Sequence, residues 1–376
     1  MTMAYADQPA PLRLALAHEY FAVHGGAEAV VEVLHAMWPA APVHALFHDR
    51  ARYGALAGWD LRLSPLQSLP HEGGLHRLLL PLYPWAASRL AVAEGTDVTL
   101  TSTSAFVKGL TLPARTVHVA YCHAPTRYLW DARQTYLAEE VPAPLRPLLG
   151  PVLDALCAAD LRAAARVDRW IANSAAVAER IRRFYRSESE VVHPPVDLVS
   201  FAPAAERGDF WLFVGRLSAY KRADVAVRAF ARLGLRLIVV GEGRERGRLE
   251  TLAHDNVEFT GRVDEETKRR LLGAARGLVF PAEDDFGIAC VEALASGAPV
   301  VAYGAGGAPE IVRDGIEGAL VPAQDADAFA DAVLRVERAP LDPVALRASA
   351  ARFDVGRFRE RVAAIVADAF EKGRTT

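Results

Sequence analysis

The stretch GLVFPAEDDFGIACVEALASGAPVVAYG (277–304) contains the repeating pattern from which the fold of the whole chain can be predicted. An apolar run, GLVFP, is followed by an acidic loop, the helical stretch VEALASG and a second apolar run, APVVAYG. Short apolar runs that alternate with helical stretches are typical of a parallel sheet covered by helices. The stretch therefore predicts a strand–helix–strand unit of an α/β domain.

The same alternation occurs in two parts of the chain. The first part begins at LRLALAHEY (12–20) and reaches RWIANS (169–174). A proline-bearing segment with little periodicity, VVHPPVDLVSFAPAAERGD (191–209), separates it from a restart at FWLFVGR (210–216). Such a segment is typical of a linker between domains.

The chain, at 376 residues, is longer than one hydrophobic core usually supports. We therefore predict two doubly wound parallel-sheet, Rossmann-like α/β domains, residues 1–197 and 198–354. We expect a final helix at 355–376 to pack back on the first domain. Ligands of such sheets bind outside the carboxyl ends of the strands, so we expect the site in the cleft between the domains.

Composition and charge narrow the class of protein. The chain has 52% hydrophobic and 24% charged residues, which is typical of a soluble globular protein. The formal net charge of −3 gives no global attraction for nucleic acid. The three cysteines are far apart and predict neither disulfides nor a zinc site. With no apolar run of about 18 residues, we expect a cytoplasmic protein without a membrane span.

The acids of the opening stretch have two interpretations. Carboxylates just before a helix can cap its free N–H groups and complement its dipole, which would make Asp284 and Asp285 structural residues. Alternatively, one of these acids and the later Glu292 contact a ligand. The residues alone leave both interpretations open.

Two glycine-bearing loops could bind an anion. In HGGAE (24–28), Gly25 and Gly26 join a strand to a helix and would let backbone N–H groups approach an anion, although tight strand–helix loops need glycine in any case. GEGRERG (241–247) imitates a dinucleotide fingerprint, but its spacing is off.

Two further loops carry candidate catalytic side chains. In FVGRLSAYKRAD (213–224), Arg216 and Lys221 could bind a diphosphate, or they could form a solvated basic loop. In YCHAPTRYLWD (121–131), His123 ends a strand and could contact a sugar hydroxyl or transfer a proton, although a structural histidine is the commoner case.

Taken together, these motifs resemble those of the retaining GT-B glycosyltransferases of family 4. The resemblance extends over nearly the whole chain and rests on the order and spacing of its motifs. These are GGAE, CHAPTRYLWD, VGRLSAYK, VVGEGRERGRLE, NVEFTGRV (256–263) and PAEDDFGIACVEALASGAPVVAYGAGGAPEIV (281–312). It implies a GT-B fold and an enzyme that uses a nucleotide-activated sugar, with no cofactor and no metal.

The resemblance also implies roles for individual residues. Arg216 and Lys221 would hold the donor diphosphate and stabilise its growing charge. Glu292 would accept hydrogen bonds from both ribose hydroxyls, and His123 would lie beside the donor sugar. The base would be contacted mainly through the backbone of Gly261, Arg262 and Val263, and sugar hydroxyls and phosphate oxygens through N–H groups of Phe286, Gly287 and Ile288.

One position departs from the family pattern. The first acid of the family's E-x7-E motif should stand at position 284, where this chain has Asp284, one methylene shorter than glutamate. Either Asp284 takes the role, or Glu283 reaches in from the neighbouring position. Asp285 would then be the helix cap.

The sequence says less about substrates. The variants DDFGIACVEA and CHAPTRYLWD look most like bacterial polysaccharide and lipopolysaccharide mannosyltransferases, so we expect GDP-mannose, with a UDP-sugar as the alternative. The acceptor would be a saccharide or a lipid-linked saccharide. LHRLLLPLYPWAASRLAVA (75–93) could touch a membrane or the acceptor, or it could be a core helix broken by prolines. The sequence does not indicate an oligomeric state.

Three other classes are alternatives. An NAD-dependent oxidoreductase would explain the glycine string at 241–247 but needs an acid at a strand end, whereas Glu258 lies inside VEFTG. A non-enzymatic sugar-nucleotide sensor should have lost Arg216, Lys221 or Glu292, and all three are present. A UDP-sugar 2-epimerase of the same architecture fits the form of residues 281–297 less well.

Overall fold

The chain forms two compact units in the computed structural model, which describes residues 12–22, 24–70, 79–131, 133–134, 137 and 146–373. Unit 1 contains the described residues up to Ala172, the segment Ala178–Glu190 and the residues from Arg361 onwards. Unit 2 contains Asn173–Val177 and Val191–Glu360. The domain limits predicted from the sequence, at residues 197 and 354, differ from these unit limits and remain a proposal.

Unit 1 is built on a seven-stranded sheet in the order β3-β2-β1-β4-β5-β6-β7. Its strands are β1 Leu14–His18, β2 Val43–Ala45, β3 Leu61–Leu63, β4 Val98–Thr103, β5 Val117–Cys122, β6 Arg169–Ala172 and β7 Ser189–Val191. The pairings of β1 to β6 are parallel. β3 and β7 are the short strands that the apolar runs did not predict.

Within the described residues, the first part of the chain has three long α-helices and two short ones. They are α1 Gly26–Met37, α2 Arg50–Tyr53, α3 Tyr83–Ser88, α4 Arg146–Ala164 and α5 Ala175–Tyr185. The expected proline-broken segment 75–93 is represented by α3, while residues 71–78 lie outside the described residues. The first residues of α5 are grouped with unit 2 and its remainder with unit 1.

Unit 2 has a six-stranded sheet in the order β10-β9-β8-β11-β12-β13, and its registers are parallel. Its strands are β8 Phe210–Val214, β9 Arg236–Val240, β10 Val257–Gly261, β11 Leu278–Phe280, β12 Val300–Tyr303 and β13 Gly318–Val321. The helices of the second part are α6 Ala223–Leu233, α7 Arg246–Leu252, α8 Glu265–Ala274, α9 Ile288–Ala295, α10 Ala308–Ile311, α11 Ala326–Arg338, α12 Pro343–Ala350 and α13 Val355–Gly373.

Helices cover both faces of the second sheet. Leu212 and Ile238 face a buried cluster that includes residues of α9 and α12. The neighbouring Trp211 and Leu237 face a separate cluster with residues of α6 and α11. Since successive strand side chains point to opposite faces, two cores from one run of apolar residues are the mark of a sheet buried on both sides. The predicted pair of doubly wound α/β sheets is therefore confirmed.

The last helix, α13, crosses from unit 2 into unit 1 at residues 360 and 361. Its later turns belong to unit 1, where the Asp368 carboxylate of the helix lies 2.5 Å from the Arg169 guanidinium of β6. Arg361 also lies 3.5 Å from Glu190. These contacts are exposed ion pairs and contribute little stability individually.

Strand order places one switch point in each sheet. The order reverses direction between β1 and β4 in unit 1 and between β8 and β11 in unit 2. Ligands of open parallel sheets bind outside the carboxyl ends of the strands at such a point. The loops after these four strands are therefore where functional side chains should collect in each unit.

Candidate functional site

Two loops lie against each other at the carboxyl edge of the second sheet. A Cβ atom added to Gly241 would lie 1.9 Å from the carbonyl oxygen of Gly215, and one added to Gly243 would lie 2.0 Å from that of Leu217. Gly241 also has a positive φ of 141°, which side chains rarely adopt. Gly241 and Gly243 are thus required by the close packing of the loops after β8 and β9, whereas a Cβ atom on Gly247 would meet open space.

The cation Lys221 and the acid Asp284 come together at the switch point of unit 2. The Lys221 ammonium donates a hydrogen bond to Asp284 Oδ2 at 2.5 Å, and both side chains are mostly buried. The ammonium also lies 5.3 Å from the Tyr220 ring and 5.8 Å from the Phe280 ring. Burial alone would lower the pKa of Lys221, but the Asp284 carboxylate raises it above its usual value.

Arg216 supplies a second positive charge in the same loop. Its side chain is exposed, and it lies near enough to Lys221 for its charge to oppose protonation of that ammonium. A lysine and an exposed arginine that converge at a switch point form a suitable anchor for a phosphate or diphosphate.

The three consecutive acids of the opening stretch have different environments. Asp284 is half-buried and paired with Lys221, whereas Glu283 is exposed. The main-chain carbonyl of Asp285 accepts a hydrogen bond of 2.6 Å from Ser174 Oγ. The prediction that Asp285 caps the following helix is wrong, because α9 begins at Ile288 and its N-cap is Gly287. The geometry favours Asp284 over Glu283 as the acid associated with the cations.

A glycine-rich loop covers the acidic segment. The Gly307 N–H donates to the Asp284 carbonyl at 2.9 Å. A Cβ atom on Gly306 would lie 2.2 Å from that same oxygen, and one on Gly307 would lie 2.4 Å from Phe286 Cα. GAGG (304–307) therefore lies directly against residues 284–286, and larger residues would displace Asp284.

The helix start after the acids is rigidly held. Phe286 is buried between the rings of His193, at a centroid distance of 5.4 Å, and Phe353, at 5.6 Å. Gly287 has a φ of 101°, so the turn into α9 requires glycine there. The first N–H groups of a helix have no partner within it. The N–H groups of Gly287 and Ile288 stand at this helix start, after the loop that follows β11, and their role in donor binding remains a prediction.

Glu292 has a partner that the sequence did not indicate. It is buried in α9, and its Oε1 accepts a hydrogen bond of 2.9 Å from Lys268 of α8. Burial raises the pKa of Glu292, while Lys268 opposes that shift. For Lys268, burial would lower the pKa, but the Glu292 carboxylate raises it overall.

The residues expected at the base lie at the end of β10. Gly261 has a φ of 74°, and a Cβ atom there would lie 2.6 Å from Glu242 Oε1. Arg262 is exposed, and Val263 packs partly against the core that contains α9. Gly261 is thus buried at the end of β10, Arg262 reaches the surface, and Val263 packs against the core.

His123 heads a hydrogen-bonded chain at the switch point of unit 1. Its Nε2 lies 2.8 Å from Ser102 Oγ, which lies 3.1 Å from His18 Nδ1. The other His18 nitrogen, Nε2, lies 3.7 Å from Glu28 Oε1. Burial, and secondarily His18, lower the pKa of His123 to about 3. His123 is therefore neutral at physiological pH and suited to hydrogen bonding with an uncharged group.

The paired glycines of unit 1 begin α1. Gly25 is the N-cap and Gly26 the first helical residue, and both are exposed. A Cβ atom on Gly25 would lie 2.9 Å from Glu28 Oε2, so a carboxylate already occupies the space beside this helix start. The structure thus gives Gly25 a packing role, and an anion-binding role for Gly25 and Gly26 remains a prediction.

The structure brings the predicted residues into two groups. In unit 2, Arg216, Lys221 and Asp284 follow the strands at the switch point, whereas Glu292 lies in the helix after β11. In unit 1, His123 joins two residues that were not predicted, Ser102 and His18. Both lie at the carboxyl ends of strands, a position from which sequence reasoning could have found them.

Three further observations concern the oxidoreductase alternative, metal binding and membrane crossing. Glu258, the acid that an oxidoreductase would need, pairs with Arg236 at 3.0 Å from within β10 rather than from its carboxyl end. Across the described ranges, no three histidine, cysteine or acidic side chains are grouped so that they could hold a metal ion. In the described part of the chain, no helix combines the length and apolar character that a membrane crossing requires.

Comparison with curated proteins finds relatives over about half of the chain. The D-inositol 3-phosphate glycosyltransferase of Mycobacterium avium (strain 104) is 33% identical over 49% of this chain and 50% of that protein. The protein of the same name from Mycolicibacterium smegmatis is 36% identical over 49% of this chain and 48% of its own length. The chain thus spans about half the length of these curated relatives.

Comparison with solved structures extends over nearly the whole chain. Anabaena HepE in complex with UDP-glucose matches with a TM-score of 0.67 and 18% identity, over 94% of this chain and 99% of that one. Sucrose-phosphate synthase from Thermosynechococcus elongatus matches with a TM-score of 0.65 and 22% identity, over 97% and 98%. At these identities the likeness establishes the fold alone.

Two family models match successive parts of the chain. The model described as Glycosyltransferase Family 4 matches residues 24–200, and the one described as Glycosyl transferases group 1 matches residues 209–338. Their order agrees with that of the two sheets, and the solved structures share the architecture. The chain therefore belongs to the group 1, family 4 glycosyltransferases and has the GT-B fold.

Proposed function

We propose that this chain transfers a sugar from a nucleoside-diphosphate donor and that unit 2 binds the donor. The observation that carries the proposal is the convergence of Arg216, Lys221 and Asp284 at the switch point of the second sheet, in a member of this family. The cations would bind the diphosphate, and Glu292 would accept the ribose hydroxyls. Gly261, Arg262 and Val263 would contact the base.

The proposed chemistry is substitution with retention at the anomeric carbon. As the glycosidic bond breaks, negative charge grows on the leaving diphosphate, and Arg216 and Lys221 stabilise that charge without reorganising. The leaving phosphate oxygen takes the proton of the attacking acceptor hydroxyl on the same face. Such a reaction relies on holding donor and acceptor together, so binding groups contribute more than a dedicated base.

The roles of Lys221 and Asp284 are coupled in this proposal. Lysine has three N–H donors, and Asp284 uses one of them. Asp284 therefore fixes the direction of the ammonium while leaving donors for phosphate oxygens. Its second oxygen would accept a hydrogen bond from a hydroxyl of the donor sugar. The N–H groups of Phe286, Gly287 and Ile288 would donate hydrogen bonds to sugar hydroxyls and phosphate oxygens.

His123 would contact the donor sugar from unit 1. A neutral imidazole hydrogen-bonded to Ser102 is fixed in orientation and gives a directed contact to a sugar hydroxyl. Its lowered pKa argues against a proton-transfer role near neutral pH.

GDP-mannose is our first choice of donor, and a UDP-sugar is the alternative. The choice of mannose rests on the sequence variants DDFGIACVEA and CHAPTRYLWD. The likeness to a structure solved with UDP-glucose favours the alternative. These donors differ in base and sugar but share the diphosphate and ribose that the unit 2 residues are proposed to bind.

The acceptor is proposed to be a saccharide or a lipid-linked saccharide. The protein is proposed to act in the cytoplasm and to contact the inner face of the membrane peripherally. Exposed Leu82 and Trp85, with Arg89 lying 5.9 Å from the Trp85 ring, support such contact in the segment 79–90. The described cysteines form no disulfide with one another, which is compatible with a reducing compartment.

A donor panel tests the proposal. Thermal stabilisation and slow donor hydrolysis would be measured with GDP-mannose, UDP-glucose, UDP-N-acetylglucosamine, GDP and UDP, with NADH as the arm for an oxidoreductase. We expect stabilisation by GDP and GDP-mannose. Stabilisation by UDP compounds alone would replace mannose with the UDP-sugar alternative, and stabilisation by NADH alone would contradict glycosyl transfer.

A further inference from the structure

We infer that Lys268 is a positioning residue that holds Glu292 in the orientation needed to bind the ribose of the donor. The inference rests on the proposed function and deepens it, because the sequence and the family resemblance pointed to Glu292 without indicating what orients it. It assigns ribose selectivity to a pair of side chains from two different helices.

The pair is held from several directions. Lys268 Nζ lies 2.9 Å from Glu292 Oε1 and 2.9 Å from Glu265 Oε2, so two carboxylates fix the ammonium. It also lies 5.9 Å from the centre of the Phe201 ring. The Lys268 and Glu292 side chains are mostly buried, at 17% and 11% exposure, whereas Glu265 is exposed. The contact to Glu292 is therefore the shielded and stronger one.

The second oxygen of Glu292 remains available to a ligand. Among the residues that the structure describes, none donates a hydrogen bond to Oε2. A carboxylate has about four acceptor positions, and Lys268 uses one on Oε1. Fixing Oε1 also fixes the plane of the group, so the remaining positions can face two neighbouring hydroxyls at once. The 2′ and 3′ hydroxyls of ribose are such a pair.

The charge of Lys268 serves the same purpose. An ionised carboxylate binds two hydroxyl donors more strongly than a protonated one, which has lost its charge and one acceptor position to its own O–H group. Burial raises the pKa of Glu292, and Lys268 is the main group that opposes this. Without Lys268, the carboxyl group would take up a proton at a higher pH and lose ribose binding there.

A purely structural ion pair makes a different prediction. If the pair only joins α8 to α9, then replacing Lys268 should lower thermal stability and weaken all nucleotides equally. If Lys268 orients the clamp, its loss should act on the ribose hydroxyls in particular. The ratio of affinities for a nucleotide and its 2′-deoxy form separates these two roles.

The experiment measures dissociation constants by calorimetry for GDP, 2′-deoxy-GDP, UDP and 2′-deoxy-UDP. The variant is Lys268→Met, which keeps the length of the side chain and removes the charge. Lys372→Met, an exposed lysine of α13 paired with Asp368, is the matched control. Glu292→Gln and the double variant complete a cycle, because residues that act together show non-additive effects.

For the wild-type protein we expect the ribonucleotide to bind at least about tenfold more tightly than its 2′-deoxy form, because a hydrogen bond to a charged group is lost in the deoxy form. In Lys268→Met the preference should fall to within about threefold, and adding Glu292→Gln should lower it little further. Lys372→Met should keep the wild-type preference. As the pH is lowered, the ribonucleotide affinity of Lys268→Met should begin to decline at a higher pH than that of the wild-type protein.

A folded Lys268→Met protein that retains the full ribose preference would overturn the inference, while nucleotide binding by the wild type would leave the proposed function standing. Equal loss of affinity for both forms would assign Lys268 a structural role and also overturn it. Failure of the wild-type protein to bind any of the four nucleotides would contradict the proposed function itself, and the inference with it.

Discussion

The two sheets have the same winding but carry different chemistry at their switch points. In unit 1, the neutral His123 is hydrogen-bonded to Ser102, which in turn bonds to His18. In unit 2, Lys221 is bound to a carboxylate at the switch point, and Lys268 of α8 is bound to another. The first arrangement suits an uncharged hydroxyl and the second an anion with a ribose. One topology therefore supports different ligand chemistry, depending on the side chains at its strand ends.

The largest effect is expected from Lys221→Ala. Removing the ammonium takes away stabilisation of the leaving diphosphate, so kcat should fall about 10² to 10³-fold. Steady-state kinetics with the preferred donor, alongside Lys372→Ala as control, would measure this. A near-normal kcat in the folded variant would remove Lys221 from the catalytic residues and break the contrast between the units.

A comparison of Asp284→Asn with Glu283→Gln should give the next largest effect. Asp284 holds Lys221 at 2.5 Å, whereas Glu283 is exposed, so we expect kcat to fall about 10 to 100-fold for Asp284→Asn and less than about threefold for Glu283→Gln. Kinetics of the two purified variants would test this. The reverse order would place Glu283 at the first position of the motif, and no effect of either would leave both acids structural.

In unit 1, Ser102→Ala should lower kcat about tenfold, because His123 loses the hydrogen bond that orients it. Thr99→Val is the matched control: Thr99 lies on the same strand, and its buried hydroxyl has no hydrogen-bond partner among the described residues. The same kcat measurement on both variants would check this. If the two variants behaved alike, the chain from His18 to His123 would be structural rather than functional.

Acid should destabilise unit 1 through its buried imidazoles. Burial lowers the pKa of His118 to about 3, whereas an unfolded histidine titrates near 6.5. The unfolded state therefore binds the proton first, and stability present above pH 6.5 is lost as pH falls toward 3.

Replacing His118 by glutamine should reduce the slope of the free energy of unfolding against pH by about 1.4 kcal/mol per pH unit. Denaturant unfolding at pH 6 and pH 5 would measure it. The exposed His254 of unit 2 provides the control variant. An unchanged slope for His118→Gln would show that His118 is not the group that takes up the proton.

Much of the fold could be predicted from the sequence because its strands are short, apolar and fully covered. In α6, for example, Ala226, Ala229 and Phe230 lie on one helical face, and all three are completely buried. The family and the fold class are confirmed. The strands β3 and β7 were missed because they are only partly buried and carry no continuous apolar run, whereas the equally short β2 and β11 are fully buried.

The candidate site could be predicted only where chemistry follows a strand directly. Lys221 and Asp284 satisfy that condition, and the structure pairs them. Lys268 could not be found in this way, because its contact with Glu292 depends on how α8 and α9 pack and not on spacing along the chain. The same holds for Gly306, whose necessity appears only when the Asp284 carbonyl is seen beside it.

The central claim is that unit 2 binds the nucleotide part of the donor, and hydrogen exchange measured by mass spectrometry tests it most directly. At saturating GDP-mannose or UDP-glucose, we predict slower exchange in residues 215–222, 260–268 and 284–292, which contain the cations, the base contacts and both motif acids. Donor binding that slows exchange in none of these three segments would contradict the claim.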